Sequence, residues 1–229
     1  MRSIECTGLE TREINRQIKA VLEAGEGEVS VLNPAARHNL AVGLLWPGRV
    51  RIEGSVGYYC VGLSDGPEVE IHGSAGWGLA ENLMSGRVVL RGNAGNSAAA
   101  SIRGGLVAVH GHAGARAGIS MKGGTLLVGG DAGYMVGFMM QKGEIIICGN
   151  ADEALGDSMY EGRIFVGGEI ASLGNDAVVE DLTDDDRAFL RRTLDHAGMD
   201  PERSFRKIVS GKQLYNFDKR DFARWRHAL

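Results

Sequence analysis

Glycine recurs at a fixed interval of 19 residues through the middle of the chain. Of the 35 glycines among 229 residues, 29 lie between Gly48 and Gly174. Two glycine series, offset by three residues, run through this region without insertion or deletion. Their members are Gly54, Gly57, Gly73, Gly76, Gly92, Gly95, Gly111, Gly114, Gly130, Gly133, Gly149 and Gly168. Self-similarity at one period over such a length indicates a solenoid.

A short alternating segment precedes each glycine of the first series. The positions four and two residues upstream are aliphatic in every copy, from Val50 and Ile52 to Ile164 and Val166. Period-2 alternation of mostly β-branched residues predicts a strand with one buried face. A second apolar row, ten residues after each glycine, consists of Leu83, Ile102, Met121, Met140, Met159 and Val178. We expect this row to fill the core as well.

Each repeat is predicted to form one coil of the solenoid. Its 19 residues are too few for a βαβ unit, which needs about 30, so equivalent strands stack in parallel about 4.8 Å apart. The predicted fold is all-β: a right-handed parallel β-helix with 19-residue coils, a short N-terminal helix and a C-terminal helical cap and arm. We expect the repeated glycines to form corners with φ > 0, which is cheap only without a Cβ.

Three segments follow from this pattern. Residues 1–28 are expected to form a helical cap, because aliphatic residues share one helical face in the stretch before Gly25. Residues 29–181 are expected to form the β-helix, beginning with an irregular first coil. Residues 182–229 are expected to form a helix, which begins with a capping box at Thr183, and an extended arm.

The outward positions of the predicted strands change character along the solenoid. They are charged in the early coils, as at Arg51 and Glu70, and apolar in the late coils. Because an exposed apolar row usually marks an interface, either a partner or the helix after Thr183 must cover it, and we expect the chain's own helix to do so. The possible interface residues, including the aromatic arm, are Leu127, Ile146, Phe165, Phe205, Tyr215, Phe217 and Trp225.

Most sequence motifs that carry catalytic chemistry are absent. The chain has no HExxH, no Walker loop and no GxGxxG that opens a helix. His110 and His112 flank Gly111 with no carboxylate or cysteine close to them in sequence, which favours surface polar residues over a metal site. We therefore predict no catalytic, cofactor-binding or metal-binding residue on this chain.

Composition excludes further classes of protein. The formal charge of -4, with acids and bases intermixed, argues against a nucleic-acid-binding face. No window approaches the length of uninterrupted apolar residues that a membrane span needs, and the amino terminus lacks a signal-peptide core, so no membrane association is expected. Three scattered cysteines, Cys6, Cys60 and Cys148, indicate a reduced, cytoplasmic protein.

The repeat resembles the GXGXG domain of glutamate synthase large chains. The resemblance covers roughly residues 29–181, and the segments that carry it are NSAAASIRGG, ARAGISMKGG, YMVGFMMQKG and CGNADEALGDSMYEG. Asp152 and Ala171 replace glycine only in the last two copies. The whole chain is similar to the stand-alone subunit form of this domain, of which N-methylglutamate synthase is the best-defined example. The C subunit of formylmethanofuran dehydrogenase is a more distant relative.

The resemblance implies a structural role. In glutamate synthase this domain packs between a glutaminase domain and an FMN/iron–sulfur synthase domain, and it contributes no recognised catalytic residue. For this chain the resemblance implies a hetero-oligomer with a glutaminase-type amidotransferase subunit and an FMN-dependent synthase subunit, with FMN and the iron–sulfur clusters on the latter. The amine acceptor, ammonia or methylamine, stays open. The alternatives are an assembly subunit of a formylmethanofuran dehydrogenase-like complex and a self-sufficient β-helix enzyme.

Overall fold

The computed structural model describes residues 2–214 and places their strands in one sheet of 11 strands. In chain order the elements are β1 (Arg2–Glu5), α1 (Thr11–Glu23), β2 (Glu28–Leu32), β3 (Gly48–Glu53), β4 (Asp65–Ile71), β5 (Ser85–Leu90), β6 (Leu106–Val109), β7 (Lys122–Val128), β8 (Lys142–Ile147), β9 (Arg163–Val166), β10 (Ala177–Glu180), α2 (Asp184–His196) and β11 (Arg206–Ser210). Strands β1 to β9 follow one another across the sheet in chain order.

The repeat sets the register between neighbouring coils. Val50 pairs with Val69, Val69 pairs with Val88, and each later partner comes 19 residues further on, as far as Ile164. A second line of contact runs through isolated parallel bridges, which begin at Val56 and end at Ile170. Both lines keep equivalent residues of successive coils directly over one another. The predicted parallel β-helix is confirmed.

The two predicted apolar rows form the core. All the inward strand positions from Val50 to Val166 are buried, as are the residues from Leu83 to Met159 in the second row. The sixth member of that row, Val178, was predicted to be buried, but 41% of its surface is exposed. The difference arises because Val178 lies in β10, the last strand of the sheet, which has a neighbour on one side only.

Within the two glycine series described above, the prediction of positive φ is wrong for every member except Gly54. Gly54 has a φ of +135°, whereas the other members of the two series do not adopt the left-handed conformation. Glycine is required there because the coils stack too closely for a side chain. A Cβ on Gly73 would lie 2.5 Å from the backbone nitrogen of Ser55, and one on Gly114 would lie 2.8 Å from that of Asn96.

Left-handed residues occur instead on the next side of each coil, and most of them are not glycine. Tyr59, Val61 and Leu63 have φ values of 58°, 63° and 57°, and the pattern repeats in later coils. Their N–H groups bond alternately to the two neighbouring coils: Tyr59 donates to the Trp77 carbonyl at 2.8 Å and Val61 to the Leu40 carbonyl at 3.0 Å. Hydrogen bonds between coils therefore hold a conformation that costs about 1–3 kcal/mol per strained residue in isolation.

Both ends of the solenoid carry the predicted helices, and each also carries a strand that the sequence did not reveal. α1 buries four aliphatic residues and α2 begins with the predicted capping box between Thr183 and Asp186. The N-terminal cap is not purely helical, because β1 pairs in parallel with β2. At the other end, β11 inserts antiparallel between β9 and β10, so part of the predicted arm is a strand.

Replacing Gly114 by alanine should lower the free energy of unfolding by about 1–3 kcal/mol, because the new Cβ would overlap the backbone of Asn96. The matched control is Gly62→Ala, since a Cβ there would meet nothing closer than the Tyr59 carbonyl at 3.3 Å. Urea denaturation of both variants measures the difference. Equal destabilisation by the two substitutions would contradict the stacking argument.

Candidate functional site

Helix α2 lies across the outer face of strands β6 to β9. Leu127, Ile146 and Phe165 point out from these strands and are fully buried against Leu190 and Leu194 of the helix. The prediction that the chain's own helix covers the late-coil apolar row is therefore confirmed.

The residues considered as possible interface contacts are accordingly divided. Leu127, Ile146 and Phe165 are unavailable to a partner because α2 already occupies their face, and Phe205 is buried in the same cluster. The remaining three lie outside the described residues: Tyr215, Phe217 and Trp225.

A buried ion network fastens α2 to the solenoid. The Asp186 carboxylate accepts hydrogen bonds from Arg163 at 2.6 Å and from Lys207 at 2.9 Å, and it also accepts from the Thr183 backbone N–H in the capping box. Burial raises the pKa of Asp186, but the hydrogen bonds from Thr183, Lys207 and Arg163 outweigh it and hold that pKa well below its usual range. The network thus ties β9, α2 and β11 together through one charged carboxylate.

A ladder of polar side chains lines the corner that follows each strand. Each side chain except that of the last member, Glu169, accepts a hydrogen bond from the backbone N–H of the equivalent residue in the next coil, as His112 Nδ1 does from Asp131 at 2.9 Å. The ladder consists of Ser55, Ser74, Asn93, His112, Asp131, Asn150 and Glu169. Because these acceptors are occupied by bonds between coils, the ladder stabilises the stack rather than presenting a reactive pair.

Helix α2 does not cover the early strands, and the outer face of these strands carries charged side chains. A hollow of about 340 Å³ between β2 and β5 is lined by residues that include Arg51, Glu70 and Arg91. Glu70 accepts from Arg91 Nε at 2.8 Å and from its Nη2 at 2.5 Å, and this pairing lowers the pKa of Glu70. His110 Nε2 lies 3.1 Å from Arg91 Nη1. Opposite charges therefore largely neutralise one another within this hollow.

Metal-ligating and nucleophilic groups are not assembled in the described part of the chain. Within residues 2–214 no three histidine, cysteine or acidic side chains are arranged to hold a metal ion. Cys6, Cys60 and Cys148 are free thiols in the interior. Burial raises the pKa of each of these thiols, so none is a thiolate at neutral pH.

Aromatic side chains stack in the open on the early coils. The rings of His38, Tyr58 and Trp77 lie one over another, with centroid separations of 4.4 and 5.4 Å. Tyr59 and Leu63, on the same coil as Tyr58, are also exposed. The exposed fractions of Tyr58, Tyr59, Trp77 and Leu63 range from 41% for Tyr58 to 66% for Leu63. We call these five residues the aromatic surface. Sequence reasoning missed it, although Tyr58 and Trp77 stand one repeat apart.

A groove lies between α1 and the first coil and reaches the aromatic surface at His38. It has a volume of about 960 Å³, and its lining includes Arg12, Arg16 and Lys19 of α1 and Trp46 of the coil. The groove and the aromatic surface therefore adjoin at His38. Among residues 2–214, neither helix combines the length and the apolar composition that crossing a bilayer requires.

Comparisons with known proteins give one partial match. No family model matches the chain. A stretch of 57 residues is 44% identical to Protein GlxC of Rhizobium meliloti (strain 1021), which corresponds to 24% of this chain. The match spans a quarter of the length of that curated relative (25%). The similarity is therefore confined to part of each protein.

Replacing Asp186 by asparagine should cost about 3 kcal/mol of stability at pH 7, because Arg163 and Lys207 would lose a buried counter-charge. The folded-state pKa of Asp186 is lowered, so its stabilisation is fully present above the unfolded-state pKa of about 4. It is lost progressively as the pH falls towards the lower folded-state pKa.

Urea denaturation of the wild type and of Asp186→Asn, at pH 7 and in acid, measures this contribution. The gap between the two proteins should narrow in acid. Asp185→Asn is the matched control, since Asp185 is exposed on the same helical turn and should change stability by less than about 0.5 kcal/mol. A gap that is independent of pH would contradict the role given to the Asp186 charge.

Proposed function

We propose that this chain is a non-catalytic assembly subunit of a glutamate synthase-type complex. In this proposal it docks a glutaminase-type amidotransferase chain to an FMN/iron–sulfur synthase chain, and the flavin and clusters belong to the latter. The observation that carries the proposal is the aromatic surface, which is exposed on a rigid stack of coils. The partial similarity to Protein GlxC supports a glutamate synthase-like family.

The aromatic surface has the chemistry of a protein interface. Tyrosine and tryptophan are enriched at the centres of interfaces, because they bury large areas and lose little conformational entropy on binding. Here the rings are already held in place before any partner arrives. Trp77 packs against Gly95, where a Cβ would come within 2.7 Å of its Cδ1, and it stacks on Tyr58 with a centroid separation of 5.4 Å.

The rest of the described surface is suited to support rather than to catalysis. The polar ladder uses its acceptors between coils, and α2 closes the apolar face of the late strands. Rigidity lowers the entropic cost of association, since few side chains remain to be ordered when a partner binds. A stack with these properties fits a subunit that holds two other chains at a set separation.

Replacing both Tyr58 and Trp77 by alanine should weaken assembly with the partner chains at least about tenfold, because each is expected to act as a binding hot spot. The chain would be co-expressed with glutaminase-type and FMN synthase-type chains and captured through a tag, and affinity would be measured by interferometry. Thermal melting of the isolated variant should change little, since both rings are exposed.

The matched control is Tyr134→Ala. Tyr134 occupies the position equivalent to Trp77 three coils later and is 43% exposed, and its loss should leave assembly within about twofold. Flavin and iron in the captured complex would support the glutamate synthase-type proposal, whereas a molybdenum cofactor would favour the formylmethanofuran dehydrogenase-like alternative. Flavin bound to the isolated chain, or hydrolysis of glutamine by the isolated chain, would contradict its non-catalytic role.

A further inference from the structure

We infer that the groove between α1 and the first coil holds an acidic segment of a partner subunit. The identity of the partner rests on the proposed function, whereas the charge preference of the groove rests on its own residues. One wall is the row Arg12, Arg16 and Lys19 along α1, with Glu23 at its far end. The other wall includes Trp46 of the first coil.

None of the three cations of this row makes an ion pair within residues 2–214, although Glu23 follows Lys19 by four residues on the same helix. Arg12 and Arg16 are four residues apart, where like charges destabilise a helix by about 0.2–0.5 kcal/mol. They also occupy the first half of α1, where the helix macrodipole favours acids over bases. The stability of the helix therefore does not account for the placement of Arg12 and Arg16, whereas binding of an anion does.

The groove has a preformed width. Asn15 of α1 donates to the Asn39 carbonyl and accepts from the Ala41 N–H, both at 2.7 Å, which pins the helix to the coil. Arg37 donates to three backbone carbonyls and is therefore a structural cation rather than a free one. Since the walls are fixed, binding would require only the three long side chains of the row to become ordered.

The spacing of the cations indicates that the groove binds a peptide segment with several carboxylates rather than a single small anion. Arg12 and Lys19 are seven residues apart along α1, a separation of about 10 Å at the helical rise. The groove continues to His38, where the aromatic surface begins, so a segment that leaves the groove would run onto that surface. We therefore assign the groove to a segment with two or three acidic residues followed by an apolar or aromatic one.

A nucleic acid fits this surface less well. Binding of a phosphate backbone needs a continuous basic track, and here the cations occupy one groove on a chain whose formal net charge is -4. Beyond the groove, the nearby strand face pairs its arginines with glutamates, as at Arg49 and Glu68 and at Arg91 and Glu70. A polyanion longer than the groove would thus meet neutralised or acidic surface.

The first test uses a fluorescein-labelled peptide of about 12 residues, rich in glutamate and ending in tryptophan, titrated with the full chain. The variant Arg12→Glu, Arg16→Glu, Lys19→Glu should bind it at least about tenfold more weakly than the wild type. The control reverses three exposed cations elsewhere, Arg103, Lys142 and Arg192, and should stay within about twofold.

Equal weakening by both triple variants would overturn the inference, because it would show attraction by net charge alone. Tighter binding of a thymidine oligonucleotide of the same length would also overturn it, in favour of a nucleic acid. The thermal midpoint of the groove variant should change little, since glutamate is favourable near the helix N-terminus at positions 12 and 16 and unfavourable at position 19, four residues before Glu23. If the midpoint of the glutamate variant falls, the peptide titration is repeated with glutamine at the same three positions, and this variant should also bind the peptide more weakly than the wild type.

The second test separates this inference from the proposed function. In co-expression with the two partner chains, the groove variant should assemble at least about tenfold more weakly than the wild type, and its assembly should depend less on salt. Assembly of the groove variant at wild-type affinity would overturn the groove assignment and leave the proposed function intact. Failure of the wild type to assemble would overturn the proposed function, and the peptide titration would still decide the preference of the groove.

Discussion

The separation between stacked coils is the constraint on which the rest of the structure depends. Parallel strands lie about 4.8 Å apart, and at the corners the backbones approach so closely that Gly73 and Gly114 have no room for a Cβ. The same closeness lets Asn93 and its equivalents cap the N–H groups of the following coil. A rigid, end-to-end stack results, and every surface feature of the molecule is positioned by its place in a coil.

Helix α2 covers one half of this stack and leaves the other half open. Over the late coils it buries Phe165 and its neighbours, and the Asp186 network holds it there. No other part of residues 2–214 covers the early coils in this way, and they carry the exposed stack of Tyr58 and Trp77 and the cationic groove beside α1. Recognition in the proposed complex is therefore concentrated at the amino-terminal half, while the carboxyl-terminal half seals the solenoid.

Sequence reasoning was reliable where the cause of a feature is local and incomplete where it lies between coils. The capping box at Thr183 was predictable because it depends on four consecutive residues. The spacing of Gly114 and its equivalents located the corners, but their cause, contact with the previous coil, is not visible within one repeat. The antiparallel pairing of Ile208 with Ile164 could not be anticipated, since it requires the chain to return after α2. The exposure of Trp77 depends likewise on how the coil is oriented.

Hydroxyl-radical footprinting of the chain alone and in its native complex tests the central claim most directly, namely that the early coils are the docking half. The account predicts that Tyr58 and Trp77 react readily in the isolated chain and are strongly protected in the complex. Tyr134, on a later coil, should react equally in both, and Phe165 should be unreactive in both because α2 covers it. Undiminished reactivity of Tyr58 and Trp77 in the assembled complex would contradict the account.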